Sequence, residues 1–188
     1  GLGDRVVAVS DYDDYPEEAK SKPKIGGVVS PNVEAILAAN PDLVIGGLSL
    51  DDTIVDKLRD LQLTVFKVEP KQLADILQNI RTIGIITDTR AQAEELIAKM
   101  EADIKKVTEA VKHLRPEQKK KVYLEFAPGW TVGRGEYMHE MIELAGGINI
   151  AADLEGWNQI NEETIIQSNP DVILYAQGVI DAQTNQSL

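Results

Sequence analysis

TRAQAEELIAKMEADIKKVTEAVKHL, residues 89–114, decides how the chain is organised. Its apolar positions Ala93, Ile97, Met100, Ile104, Val107, Val111 and Leu114 alternate by four and three residues, one narrow stripe on a helix. Charged residues (Glu94, Glu95, Lys99, Glu101, Lys105, Lys106) occupy the other faces. Asp88 or Thr89 supplies an N-cap, because a short side-chain oxygen there satisfies an orphan backbone N–H. Pro116 ends the run, since it donates no N–H and restricts Arg115 before it. At 1.5 Å per residue this helix would span about 39 Å, longer than one small domain needs. Taken alone, the stretch fits a helix along one core, half of a coiled-coil pair, or a rod joining two domains.

The flanking sequence favours the rod. Before it, Arg5–Ser10 (RVVAVS) reads as a buried strand, and Val33–Ala39 as a short helix opened by Ser30-Pro31-Asn32. Leu43–Ile45 is a strand, Asp51–Leu61 a helix, Thr64–Val68 a strand and Lys71–Ile86 a helix. After it, Lys121–Phe126 is a strand, Ala127–Arg134 a loop, Glu136–Leu144 a helix and Asn149–Ala151 a short strand. Asp153–Asn158 is a loop, Glu162–Gln167 a helix and Val172–Tyr175 a strand, while Ala176–Leu188 shows no clear element. Strands alternating with helices at this interval imply βαβ units around parallel sheets.

An internal repeat sharpens the division. Asn32-Val-Glu34-Ala-Ile36-Leu-Ala-Ala-Asn40-Pro41-Asp42 and Asn161-Glu-Glu163-Thr-Ile165-Ile-Gln-Ser-Asn169-Pro170-Asp171 coincide at Asn, Glu, Ile, Asn, Pro and Asp. The two copies lie on either side of the long helix. The fold expected is therefore α/β: an N-terminal lobe over residues 1–87, an interlobe helix over 88–115, and a C-terminal lobe over 116–188. Both lobes look shortened, the first by an initial βα unit and the second at its end. Ligands of such folds sit at the C-terminal ends of strands, here in a cleft between lobes.

Bulk composition narrows the function. At 43% hydrophobic content the 188 residues can bury a full core. A net charge of −12 argues against nucleic acid and anionic membrane surfaces as direct partners. The absence of cysteine excludes disulfides, thiolate metal sites and a cysteine nucleophile. No nucleophile-elbow, P-loop or dinucleotide-binding signature occurs, and Gly133-Arg134-Gly135 is too short to cradle a phosphate. Neither His113 nor His139 has a partner at metal-ligand spacing. The chain does not read as an enzyme.

The aromatic residues carry more information. Of nine, Tyr12, Tyr15, Trp130 and Trp157 fall in expected loops rather than core strands. Each tryptophan could simply pack its loop against a lobe. Gathered at strand ends, their rings could instead grip a large planar ligand with little entropy loss. Glu34 and Glu163, equivalent in the repeat, each favour a helix dipole from the first turn. One acid per lobe would also offer a partner two matched charges.

These runs, RVVAVSDYDDYPEEAKSKPKIGG, SPNVEAILAANPDLVIG, WTVGRGEYMHEMIELAGGINIAAD and QINEETIIQSNPDVIL, closely resemble substrate-binding proteins of ABC importers for vitamin B12, iron-siderophores and haem. The resemblance covers nearly the whole chain in order. It implies the class III periplasmic-binding-protein architecture, two α/β lobes joined by one long helix, outside the cytoplasm as a periplasmic protein or a membrane-anchored lipoprotein. It implies capture of cobalamin, or else a ferric siderophore or haem, with no resident cofactor or metal. Tyr12 and Trp157 match aromatic positions contacting the corrin in the B12-binding member, and Trp130 lies in a loop lining the same cleft. Tyr15 and Arg134 complete the candidate ligand-binding set. Glu34 and Glu163 match the glutamates that dock on arginines of the permease subunits. Two tryptophan positions of the B12-binding member are Val28 and Gly47 here. The alternatives are a metallocluster- or chelate-handling enzyme using His139, and an acidic protein-interaction module.

Overall fold

Val44–Gly46 (β1) and Val65–Lys67 (β2) pair in parallel, with Val44 opposite Val65 and Gly46 opposite Lys67. Between them runs Asp52–Asp60 (α2), completing a βαβ unit. Asp51 caps α2, its carboxylate accepting the Thr53 N–H at 2.8 Å, and Val55 and Leu58 turn inward. Before β1 lies α1, Val33–Ala38, whose Ile36 joins Leu50, Val55 and Leu58 in the buried core. This computed structural model describes residues 2–175, which divide between two compact units, Gly1–Glu69 and Pro70–Leu188.

The expected first strand is not a strand. Gly3–Arg5 forms a 3-10 turn, and Val9 makes a single parallel bridge to Lys24. A ladder needs a partner of some length, and the facing segment carries Pro23, which cannot donate, and turns at Gly26. Lys24 instead pins the following loop, its Nζ donating to the Ser10 and Asp13 carbonyls at 3.0 and 2.9 Å.

The second unit opens on an antiparallel helix pair, α3 (Leu73–Ile86) and α4 (Arg90–Val111). The pair is close because Gly84 has no side chain: a Cβ there would stand 2.5 Å from the Ala93 Cβ. Arg81 and Glu94 add an ion pair at 2.8 Å. Gly84→Ala is expected to cost about 1–3 kcal/mol by overpacking, read as a lowered denaturant midpoint; an unchanged midpoint would show that the seam yields. Thr89 occupies the N-cap position of α4, but its hydroxyl bonds Thr87 and not a helix N–H.

α4 is the expected long helix, shorter at its C-terminus. Its 22 residues span about 33 Å. Ala93 and Ile97 are buried, while Val107 of the stripe is exposed. The helix lies inside the second unit, on α3 at its start and on α5 (Tyr137–Leu144) at its end. There Gly146 leaves room for Val111 and Leu114, which a Cβ would meet at 2.9 and 3.0 Å. The start of α3 is tied to the same unit, Lys71 pairing with buried Glu136 at 2.7 Å and Glu140 accepting the Leu73 N–H at 2.8 Å. The contact boundary thus falls at Glu69/Pro70, ahead of α3, whereas the sequence places it at 87/88.

β3 (Lys121–Glu125) is the centre of a parallel sheet in the order β5-β3-β7, flanked by Ile148–Asn149 and Val172–Tyr175. β5 ends two residues earlier than expected. Two expected loops are corrected. Trp130–Val132 (β4) and Trp157–Gln159 (β6) pair antiparallel as a separate ribbon. Three-residue strands paired across so long a separation leave no local periodicity to read. The stretch Ala176–Leu188, expected to lack a clear element, lies outside the described residues, as does Gly1.

The repeat is built alike in both units. Asn32 caps α1, accepting the Glu34 and Ala35 N–H groups, and Asn161 caps α6 (Glu162–Ser168), accepting that of Thr164. Each helix then stops on an asparagine in the left-handed region, Asn40 at φ 48° and Asn169 at φ 47°. Asparagine tolerates this conformation, and the following proline cannot continue the helix. The chain is thereby aimed into β1 in one unit and β7 in the other. Asp171 fixes the second copy on the sheet by accepting the Lys121 N–H at 2.9 Å, and that bond holds its carboxyl below the usual value.

Candidate functional site

The β4–β6 ribbon carries both tryptophans of the second unit. Trp130 stands opposite Gln159 and Val132 opposite Trp157. Directly opposed residues share a face, and so do residues two apart on one strand, so both tryptophans lie on one face in diagonal register. Their Cα atoms are therefore about 7–8 Å apart. Val132, on the same face, is fully buried, whereas Trp130 and Trp157 keep 42% and 39% of their surface exposed. Phe126, just past β3, completes the group, its ring 4.7 Å from that of Trp157 at a 55° tilt. Such a tilted pair fixes the indole and leaves its outer face free.

The backbone around these rings is tightly closed. Phe126 N–H donates to the Trp130 carbonyl at 3.0 Å and Trp130 N–H to that of Ala127 at 2.8 Å. Beyond β4, Gly133 presses on the Leu154 carbonyl, where a Cβ would come within 2.2 Å. That contact requires glycine. It delivers the next residue, Arg134, to an exposed position at the end of the ribbon, bridged to Glu155 through the backbone.

Tyr12 and Tyr15 belong to the first unit and are almost wholly exposed, in the loop that Lys24 anchors. The structure thus brings together Trp130, Trp157 and Arg134, with Tyr12 and Tyr15 separately grouped. Glu34 and Glu163 are exposed at the second position of α1 and α6, equivalent sites within the two repeat copies.

His139 is held in a side-chain hydrogen-bond network. Asn149 uses its amide oxygen for the Ala151 N–H at 3.0 Å, which fixes the amide's orientation. Its Nδ2 therefore donates, to the Val132 carbonyl at 2.8 Å and to His139 Nδ1 at 3.1 Å. The imidazole is buried and joins α5 to the strand that carries Trp130. Among the described residues no group of three or more histidine, cysteine or acidic side chains is arranged to hold a metal.

Sequence reading missed Phe126, Glu125 and Tyr123. Strand alternation held the signal: Val122, Leu124 and Phe126 fall on one face and Tyr123 and Glu125 on the other. Tyr123 is buried, and burial together with the Glu125 charge raises its phenol well above the ordinary value.

Known proteins agree with this architecture. The profile described as periplasmic binding protein matches residues 1–187. A substrate-binding lipoprotein of an ABC transporter in Bacillus subtilis, YvrC, is 33% identical over 186 residues, 95% of this chain and 59% of that protein. A cobalamin-binding protein of Halobacterium salinarum is 33% identical over 181 residues, 92% of this chain and 49% of its own length. The chain spans about half to three fifths of these curated relatives. Among solved structures, the periplasmic vitamin B12-binding protein BtuF of Vibrio cholerae matches with a TM-score of 0.79 and 28% identity, covering 94% of this chain and 69% of that one. The periplasmic haem-binding protein RhuT of Roseiflexus matches with a TM-score of 0.80 and 29% identity, over 93% and 69%. Two α/β units with parallel sheets and a long helix, matched by a profile along almost its full length, place this chain in the periplasmic binding protein family.

Proposed function

We propose that this chain is an extracytoplasmic, non-enzymatic substrate-binding protein of an ABC importer that captures a metal-chelate nutrient, cobalamin first and ferric siderophore or haem next. The observation that carries the reading is the pair of half-exposed indoles on one ribbon face. Flat rings held at a fixed spacing bind a macrocycle by stacking and by displacing water, with little side-chain entropy to lose. Arg134, beside them, would meet an acidic group of the ligand through a charge-assisted hydrogen bond. Tyr12 and Tyr15 are the first unit's contribution to the ligand. Relatives named as cobalamin-, vitamin B12- and haem-binding support this ligand class, and relatives named as lipoprotein or periplasmic support the location.

Delivery is to permease subunits through Glu34 and Glu163. Each carboxylate sits on the first turn of a helix, the end at which the helix dipole favours negative charge. The acidic surface argues against nucleic acid as a partner.

Titration with cyanocobalamin, haemin and a ferric siderophore, followed by tryptophan fluorescence and calorimetry, tests the ligand. Quenching that saturates with one of the three is expected. Absence of any signal up to about 100 micromolar would overturn the reading, since a dedicated capture protein binds well below that level.

A further inference from the structure

We infer that Glu125 is a positioning residue for the tryptophan face: its carboxylate clips the turn preceding Trp130 onto the central strand, and ligand affinity depends on that clip. The inference rests on the ligand-binding reading above and adds a residue outside the proposed contact set.

Glu125 is the last residue of β3, the middle strand of the parallel sheet. Its Oε1 accepts two hydrogen bonds, from the Gly129 N–H at 3.1 Å and from the Tyr123 hydroxyl at 3.2 Å. Gly129 is the residue before Trp130 and takes φ +74°, where a side chain is strained. Its carbonyl accepts the Ile160 N–H at 2.8 Å, and a Cβ would stand 2.7 Å from the Ile160 carbonyl. The two backbone groups of this one glycine are thus fastened to different bodies. The N–H is held by the sheet through Glu125 and the carbonyl by the chain leaving β6. The ribbon also meets the sheet further along β4, where Asn149 Nδ2 donates to the Val132 carbonyl at 2.8 Å.

The donor side is equally settled. Tyr123 is buried and its phenol stays protonated through the neutral range, so it always donates to Glu125. A carboxylate with two fixed donors cannot swing, and the turn it holds is fixed with it. Without the clip, the Gly129 N–H loses its acceptor and the turn, though still closed by its own backbone bonds, loses this tie to β3. The ribbon bearing Trp130 and Trp157 then shifts against Phe126 and the sheet, although the β4–β6 ladder keeps the two indoles in register. The loss falls on ligand affinity even though Glu125 makes no ligand contact.

The test compares Glu125→Ala, Glu125→Gln and Tyr123→Phe in the full chain by two measurements. Acrylamide quenching and near-ultraviolet circular dichroism report the tryptophans without ligand; titration with cyanocobalamin and haemin reports affinity. Glu125→Ala is expected to raise the quenching constant and to weaken binding about tenfold. Glu125→Gln, whose amide oxygen accepts the same two bonds, is expected to stay within about twofold of the parent in both. A Glu125→Ala variant with parental quenching would overturn the inference. So would Glu125→Gln failing as badly as Glu125→Ala, which would mean that the ligand reads the charge itself. If the parent protein binds neither of these probes nor a ferric siderophore, the ligand reading fails and quenching alone decides the clip. Should Glu125→Ala not fold, Tyr123→Phe decides: looser tryptophans support the clip and unchanged ones overturn it.

Discussion

Replacing Glu34 and Glu163 together by arginine is expected to abolish delivery through the permease while ligand affinity stays within about twofold. The two carboxylates are exposed and at the second position of α1 and α6. A cation there opposes the helix dipole, at about 0.3–1 kcal/mol per site. That is small beside a domain's stability of about 5–15 kcal/mol, so both units keep their fold. Docking is affected far more, because like charges brought together at an interface cost several kcal/mol. The measurement is uptake of labelled ligand by vesicles carrying the permease, with calorimetry on the variant beside it. Lost affinity in the double variant would assign these residues to the ligand site or to the fold, and normal uptake would remove them from docking.

The second large effect is on capture. Trp130→Ala with Trp157→Ala is expected to weaken ligand binding by about 30- to 1,000-fold, since each indole contributes stacking and burial of about 1–2 kcal/mol. The single variants should divide unequally. Trp157 leans on Phe126, so its removal also frees that ring, whereas Trp130 lies at the closed turn and loses mainly its own face. Both tryptophans are half exposed, so the fold should tolerate their loss, and far-ultraviolet circular dichroism checks that it does. Parental affinity in the double variant would place the ligand elsewhere.

Much of the architecture is legible in the sequence because it is local. α2, α3 and α4 announce themselves by apolar spacing, and the repeat names its own caps: Asn32 and Asn161 at the start, Asn40 and Asn169 at the end. What was not legible depends on partners far along the chain. β4 and β6 are three residues each, and nothing near Trp130 shows that Gln159 will face it. Arg5–Ser10 has the composition of a strand, yet among the described residues only Val9 finds a bridge, because propensity creates no pairing partner. The tryptophans were legible as site candidates by type and place in the chain. Phe126 and Glu125 were hidden inside a strand read as core.

The α3–α4 pair and the β3–β7 pairing differ in how much chain must be drawn in to make them. The helices meet across the three residues Thr87–Thr89, whereas Lys121 and Asp171 meet across a separation of 50. Closing the longer loop costs about 2.5 kcal/mol more in chain entropy. The helix pair can therefore assemble from its own neighbours at a lower entropy cost than the strand that follows α6. Asp171, bonded to the backbone of Lys121, latches that longer closure three residues past the end of α6, and through it the acid-bearing helix is held to the sheet.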